Sequence, residues 1–87
     1  MNIEQYEQYK TEMMLTLEED NILTTAEWQE QFYRQYPQWN TGYWGDKFRN
    51  TQQTLSKQGY IELIGGRWTI LRFYDITVED IGRALLR

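Results

Sequence analysis

The chain has 87 residues, 40% of them hydrophobic, and a formal net charge of -4 at pH 7. This length supports one hydrophobic core, which predicts a single domain over residues 1–87, and the charge argues against a uniformly basic nucleic-acid-binding protein. Cysteine and histidine are both absent, which excludes disulfides, cysteine nucleophiles and the commonest zinc ligand and general base. We therefore predict a non-enzymatic protein with no metal and no cofactor.

The hydropathy of the sequence does not resemble that of a membrane protein. No apolar run approaches the roughly 18–20 residues that cross a bilayer. The first residues are polar and acidic, rather than basic and then apolar as in a secretory signal. We expect a cytoplasmic protein with no membrane partner.

Acidic and basic residues occupy different parts of the chain. Residues 1–30 contain eight acids and one lysine, residues 31–60 contain four basic residues and one acid, and residues 61–87 contain four of each sign. The three segments therefore carry net charges of -7, +3 and 0. An electrostatic interaction with a partner depends on which segment faces it.

Two amphipathic helices are predicted in the first half of the chain. Apolar residues recur at three- and four-residue steps on helix 3–20, which places them on one face. They are Tyr6, Tyr9, Met13 and Leu17. Residues 22–23 form a short extended link, and Thr24 and Glu27 then have the spacing of a capping box, which predicts the start of a second helix. Pro37 ends that helix because proline lacks an N–H and disfavours helical geometry before it.

A third helix and a hairpin are predicted in the second half of the chain. Inward-facing residues recur at steps of four, three and four on helix 43–58. They are Trp44, Phe48, Thr51 and Leu55. Gly59 follows at the position of a left-handed C-terminal cap. Residues 60–73 contain two β-rich runs separated by Gly65 and Gly66, which predicts a hairpin with a tight primed turn.

The predicted order of helix, extended link, helix, turn, helix and hairpin resembles the winged helix-turn-helix superfamily over Tyr6 to Phe73. Residues 55–61 are similar to that family's junction between its third helix and first wing strand, where a Leu, a polar pair, a Gly and an apolar strand start recur. The resemblance implies a mainly α fold with a small β-hairpin (α+β), built from three helices and a wing. A C-terminal helix over residues 77–86 is expected either to pack against helix one or to pair two subunits as a homodimer.

In this family the third helix usually enters the major groove of double-stranded DNA, and the resemblance implies the same for helix 43–58. The arc of that helix opposite the buried residues begins at Asp46 and carries Arg, Asn, Gln and Lys side chains. Arg, Asn and Gln match the donors and acceptors of base edges, and Lys suits phosphate. The leading interpretation is a small transcriptional regulator that binds DNA through six residues. They are Lys47, Arg49, Asn50, Gln53, Lys57 and Arg67.

A polar face of this kind is also typical of any solvated amphipathic helix, and three features weigh against DNA binding. Asp46 would repel phosphate, the wing turn has Arg67 as its sole nearby cation, and helix one is acidic. The alternative is a protein-interaction module, or a small acidic inhibitor that imitates nucleic acid, in which helix 3–20 binds a basic protein. Candidate contacts for that partner are acids of helix one and members of an exposed aromatic patch. They are Glu4, Glu7, Glu12, Tyr33 and Trp39.

Overall fold

The computed structural model describes residues 2–72 of the chain. Four α-helices and two strands follow one another within this range. They are α1 (Ile3–Asp20), α2 (Thr25–Gln35), α3 (Gly42–Gly45), α4 (Lys47–Lys57), β1 (Ile61–Ile64) and β2 (Arg67–Ile70). This mainly helical α+β arrangement agrees with the prediction, whereas Phe73 and the helix predicted over residues 77–86 lie outside the described residues.

Aromatic and other large apolar side chains fill the core between α1 and α2. The predicted stripe on α1 is confirmed, because Tyr9, Met13 and Leu17 are fully buried. Trp28 and Phe32 of α2 are equally buried, and the indole Nε1 of Trp28 donates a hydrogen bond to the backbone oxygen of Met13 at 2.9 Å. Such large side chains remove the most apolar surface from water per residue, which a short chain needs in order to fold.

Tyr9 lies at the centre of an aromatic cluster that connects α1 to α2 and α3. Its ring centroid is 5.2 Å from that of Phe32, 5.3 Å from that of Trp39 and 4.9 Å from that of Trp44. The Tyr9 hydroxyl donates a hydrogen bond to the backbone oxygen of Trp44 at 2.8 Å. Burial raises the pKa of this hydroxyl, so the tyrosine stays neutral and keeps its hydrogen bond at neutral pH.

Both ends of α2 are set by residues that the sequence predicted. The N–H of Glu27 donates to Oγ1 of Thr24 at 3.1 Å, and the N–H of Thr24 donates to Oε1 of Glu27 at 3.0 Å, which completes the capping box. The helix ends at Gln35, and Pro37 begins a single turn of 3-10 helix, Pro37–Trp39. Interactions between near neighbours therefore determine where α2 begins and ends.

The prediction of one continuous helix over residues 43–58 is wrong, because the chain forms two consecutive helices that meet at Asp46. The hydrogen bond from the N–H of Asp46 to the carbonyl of Gly42 is stretched to 3.4 Å. Gly45 precedes the break, and a Cβ atom at this position would lie 3.2 Å from the hydroxyl of Tyr33. Glycine is a weak helix former, and the close approach of Tyr33 from α2 explains its place here.

The two strands form the predicted antiparallel hairpin, with Leu63 opposite Trp68. Gly65 and Gly66 both have positive φ, of 57° and 77°, as a primed two-residue turn requires. Leu23, in the link between α1 and α2, exchanges two hydrogen bonds with Trp68 at 2.7 and 3.2 Å. The link therefore adds a third, one-residue strand to the sheet beside β2.

The link between α1 and α2 also contains a strained residue. Ile22 has a φ of 64° and is 53% exposed. A β-branched residue is disfavoured in this left-handed region because its Cβ crowds the backbone carbonyl oxygen. The neighbouring residues hold it there, since Asn21 donates to the carbonyl of Leu17 at 2.9 Å and Leu23 is bonded to β2.

We expect Ile22→Asn to raise the free energy of unfolding by about 1 kcal/mol, because asparagine tolerates the left-handed region. Urea denaturation measures the change. Ile22→Val is the matched control, because it keeps the branched Cβ and should bring no gain. A similar loss of stability in both variants would show that packing of the isoleucine side chain outweighs its backbone strain.

The capping box predicts a specific loss of stability in acid. Hydrogen bonding with Thr24, first with its backbone N–H and second with its side chain, holds the pKa of Glu27 below its ordinary value. A lowered pKa in the folded state stabilises the fold above the unfolded-state pKa, and this contribution is lost as the pH falls through the folded-state pKa. We expect the free energy of unfolding, measured by urea denaturation at a series of acidic pH values, to fall more steeply with decreasing pH in the wild type than in Glu27→Gln. Parallel profiles of the two proteins would contradict this role of Glu27.

Candidate nucleic-acid interface

The helix α4 has one buried face and one exposed face. Phe48, Thr51 and Leu55 are buried, as predicted. Because successive residues are rotated by about 100° around a helix, the exposed side chains share the opposite arc. We name these four residues the α4 polar face: Arg49, Asn50, Gln53 and Lys57. Asp46 is exposed at the N-terminal end of the same arc.

Contacts of the buried side of α4 determine which way the α4 polar face points. The Phe48 ring centroid is 5.4 Å from that of Trp28 and 5.6 Å from that of Phe32. The Thr51 hydroxyl is 3.4 Å from that of Tyr6 on α1. Because the buried face of α4 contacts α1 and α2, the α4 polar face points away from these contacts.

Some of the basic side chains in residues 2–72 form ion pairs with acids, and others do not. Lys10, Arg34 and Arg67 form ion pairs at 3.0, 2.9 and 3.2 Å. Within residues 2–72, the side chains of Arg49 and Lys57 form no ion pair, hydrogen bond or ring contact. Both belong to the α4 polar face, and no acid of the described residues neutralises them.

Two other residues predicted to contact DNA, Lys47 and Arg67, lie outside the α4 polar face. Lys47 is partly buried at the start of α4, with its Nζ 4.5 Å from the centroid of the Tyr43 ring. Nη1 of Arg67 is 3.2 Å from Oε1 of Glu27, which ties the hairpin to the start of α2. The structure therefore groups four of the six predicted residues, places Lys47 at their edge and leaves Arg67 paired elsewhere.

Arg72 adds a cation near the C-terminal end of α4 that the sequence did not assign to the site. Its Nη2 donates to the backbone oxygen of Gln58 at 2.7 Å, and its guanidinium lies 4.2 Å from the centroid of the Tyr60 ring. Gln58 directly follows Lys57, so the charge of Arg72 adjoins the α4 polar face. The sequence has no local pattern for this contact, because Arg72 is 14 positions from Gln58 and reaches it only after the hairpin reverses the chain.

Two residues predicted as protein contacts, Glu12 and Trp39, are buried and bind each other. Nε1 of Trp39 donates to Oε2 of Glu12 at 2.7 Å, and the two residues are only 9% and 6% exposed. The expected exposure of these two side chains is wrong, because a buried indole N–H needs an acceptor, which the carboxylate supplies. Tyr33 is partly buried and its ring packs against those of Phe32 and Phe48.

The surface of α1 is acidic at both ends. Glu4 is exposed at its start, Glu18 and Asp20 are exposed at its end, and none of the three forms an ion pair within the described part of the chain. Glu7 is partly buried and lies 3.0 Å from Nζ of Lys10. Within residues 2–72, the unpaired acids Glu4, Glu18 and Asp20 thus belong to α1, whereas the unpaired cations Arg49 and Lys57 belong to α4.

Gln52 is a buried polar residue on α4 that the sequence analysis did not single out. It is 2% exposed, and its Nε2 atom has no hydrogen-bond partner among residues 2–72. A buried donor without a partner costs about 1–3 kcal/mol, because it has lost its hydrogen bonds to water. The buried arc of α4 is thus wider than the predicted apolar stripe.

We expect Gln52→Met to raise the free energy of unfolding by about 1–3 kcal/mol, since methionine has a similar shape and no unsatisfied donor. Gln53→Met, on the exposed side of the same helix, is the matched control and should change stability by less than about 0.5 kcal/mol. Urea denaturation of both variants measures the difference. A loss of stability in Gln52→Met would show that the amide nitrogen is hydrogen-bonded in solution.

Across residues 2–72, every helix is too short or too polar to span a membrane, and no group of three or more acidic side chains is arranged to hold a metal ion. Comparison with family models, with curated proteins and with solved structures found no match to this chain.

Proposed function

We propose that this chain is a winged helix-turn-helix domain that binds double-stranded DNA through α4. The observation that carries the proposal is the α4 polar face, where Arg49 and Lys57 are exposed and unpaired among the described residues. The element order supports it. Leu23 lies between the first two helices and bridges Trp68, which adds a third strand to the hairpin that follows α4. Unpaired cations on one helix face are suited to a polyanion.

The helix α4 has a length and side chains suited to the major groove. Its 11 residues extend over about 16 Å, and a major groove about 12 Å wide admits an α-helix. Arg49 is suited to donate two hydrogen bonds to O6 and N7 of guanine, and Asn50 and Gln53 to pair with N6 and N7 of adenine. Lys57, with Arg72 beside it, is suited to phosphates at the end of the helix.

The acids of the domain limit how it approaches DNA. Asp46 repels phosphates near the start of α4, and Glu4, Glu18 and Asp20 repel DNA from the α1 side. The same field favours encounters in which α4 faces the duplex. Because few cations face the DNA, we expect modest affinity that falls as the salt concentration rises, with a shallow slope set by the small number of phosphates contacted.

The proposal predicts different effects at two positions of the α4 polar face. Arg49→Ala is expected to weaken binding to a preferred site by about 1–3 kcal/mol and to relax preference at one base pair. Lys57→Ala is expected to weaken binding to all sequences alike and to lower the salt slope by about one. Arg34→Ala is the matched control, because Arg34 is paired with Glu30 on α2 and should not contact DNA.

Fluorescence anisotropy over a salt series measures these effects, first with a random-sequence duplex pool and then with any sequences enriched from it. The wild type and Arg34→Ala should bind alike. No binding by the wild type at low salt, or equal binding by the wild type and both α4 variants, would contradict the proposal.

The unpaired acids of α1 favour a second candidate function, in which the domain binds a basic protein as an interaction module or a mimic of nucleic acid. Glu18 and Asp20 are exposed at the end of α1, where their charge opposes the helix dipole, so the fold itself gains nothing from them. Anisotropy with a fluorescent oligo-lysine peptide distinguishes the two candidates. Peptide binding that is lost in Glu18→Gln/Asp20→Asn, together with no duplex binding, would favour the second.

A further inference from the structure

The strand β1 has a free edge. Within residues 2–72, β2 lies between β1 and Leu23, and β1 has β2 as its only neighbouring strand. The N–H and C=O of Trp68 are both bonded to Leu23, at 2.7 and 3.2 Å, so they point away from β1. Leu63, which lies opposite Trp68, is therefore in a non-hydrogen-bonded pair, and its own N–H and C=O point outward from the hairpin.

This edge is apolar where it is accessible. Leu63 and Ile64 are 52% and 60% exposed, next to the glycine turn. Proteins usually protect an open edge with charges, proline or a bulge, but Glu62 is the single charged residue of β1. An exposed apolar edge with an outward donor and acceptor is suited to receive another strand.

We propose that β1 pairs antiparallel with β1 of a second copy of this chain, with Leu63 on the two-fold axis. In this register Leu63 exchanges two backbone hydrogen bonds with its symmetry mate, because its outward N–H and C=O face those of the other copy. Glu62 then lies opposite Ile64 of the second copy, so no like charges face each other in this register.

Charge and burial select this register over its neighbour. A shift that places Ile61 opposite Leu63 sets the two copies of Glu62 directly against each other, and like charges in that position are destabilising. It also needs the backbone of Ile61, which is only 1% exposed.

A four-residue strand buries much less than the roughly 1,200–2,000 Å² of a stable interface, so the dimer forms at high protein concentration. This inference does not depend on DNA binding.

Sedimentation velocity at rising concentrations of the wild type and of Leu63→Pro tests the dimer. Proline removes the outward N–H that the dimer needs but no hydrogen bond inside the hairpin. The wild type should shift from monomer to dimer, whereas Leu63→Pro should stay monomeric with an unchanged circular dichroism spectrum. Leu63→Lys should also stay monomeric. Lysine, unlike proline, does not restrict the backbone, so this variant should keep the hairpin. A monomeric wild type throughout, or dimerisation of both variants, would overturn the proposal.

Charge variants test the register separately. Ile64→Glu should weaken the dimer, because it places a like charge directly opposite Glu62 of the second copy, and adding Glu62→Lys should restore it. Gln5→Glu makes the same change of net charge at an exposed position of α1 and is the matched control. If Ile64→Glu dimerises as well as Gln5→Glu does, the register is overturned.

Discussion

The buried hydroxyl of Tyr9 fixes the second half of the chain against the first. The helix α3 has four residues and is too short to be stable without tertiary contacts. It is held by the hydrogen bond from Tyr9 to the backbone of Trp44 and by the stacking of the two rings. The helix α4 begins two residues after α3 ends, so its direction follows from this contact. The exposure of the α4 polar face therefore depends on a residue of α1 that lies 35 positions from Trp44.

Charge is separated over the surface in a way that neither the net charge nor the core explains. Most ion pairs of the described residues are local or lie at the hairpin, as between Arg34 and Glu30 on α2, and they contribute little to stability when exposed. Among the described residues, the unpaired acids Glu4, Glu18 and Asp20 lie at the ends of α1, and the unpaired cations Arg49 and Lys57 lie on α4. A domain with such a field meets a charged partner in a restricted set of orientations, and this gives specificity more than affinity. The edge of β1, open among the described residues, is a third surface and is apolar at Leu63 and Ile64.

Predictions succeeded where the physical cause lies within a few residues. The Thr24 capping box, the end of α2 before Pro37 and the glycine turn of the hairpin all follow from backbone preferences or from hydrogen bonds between near neighbours. The buried stripe of α1 and the exposed arc of α4 follow from the helical period. The residues of the α4 polar face could therefore be predicted from the sequence, although the partner of this face could not.

The sequence by itself determined the α+β element order, the ends of α2, the hairpin turn and the residues of the α4 polar face, because each depends on local chain geometry. Only the tertiary structure decided that the helix breaks at Asp46, that Glu12 accepts a hydrogen bond from Trp39, and that Arg72 adjoins the end of α4. These features depend on contacts between residues far apart in the chain. Burial of an indole creates the need for an acceptor, but packing of distant elements determines which residue supplies it.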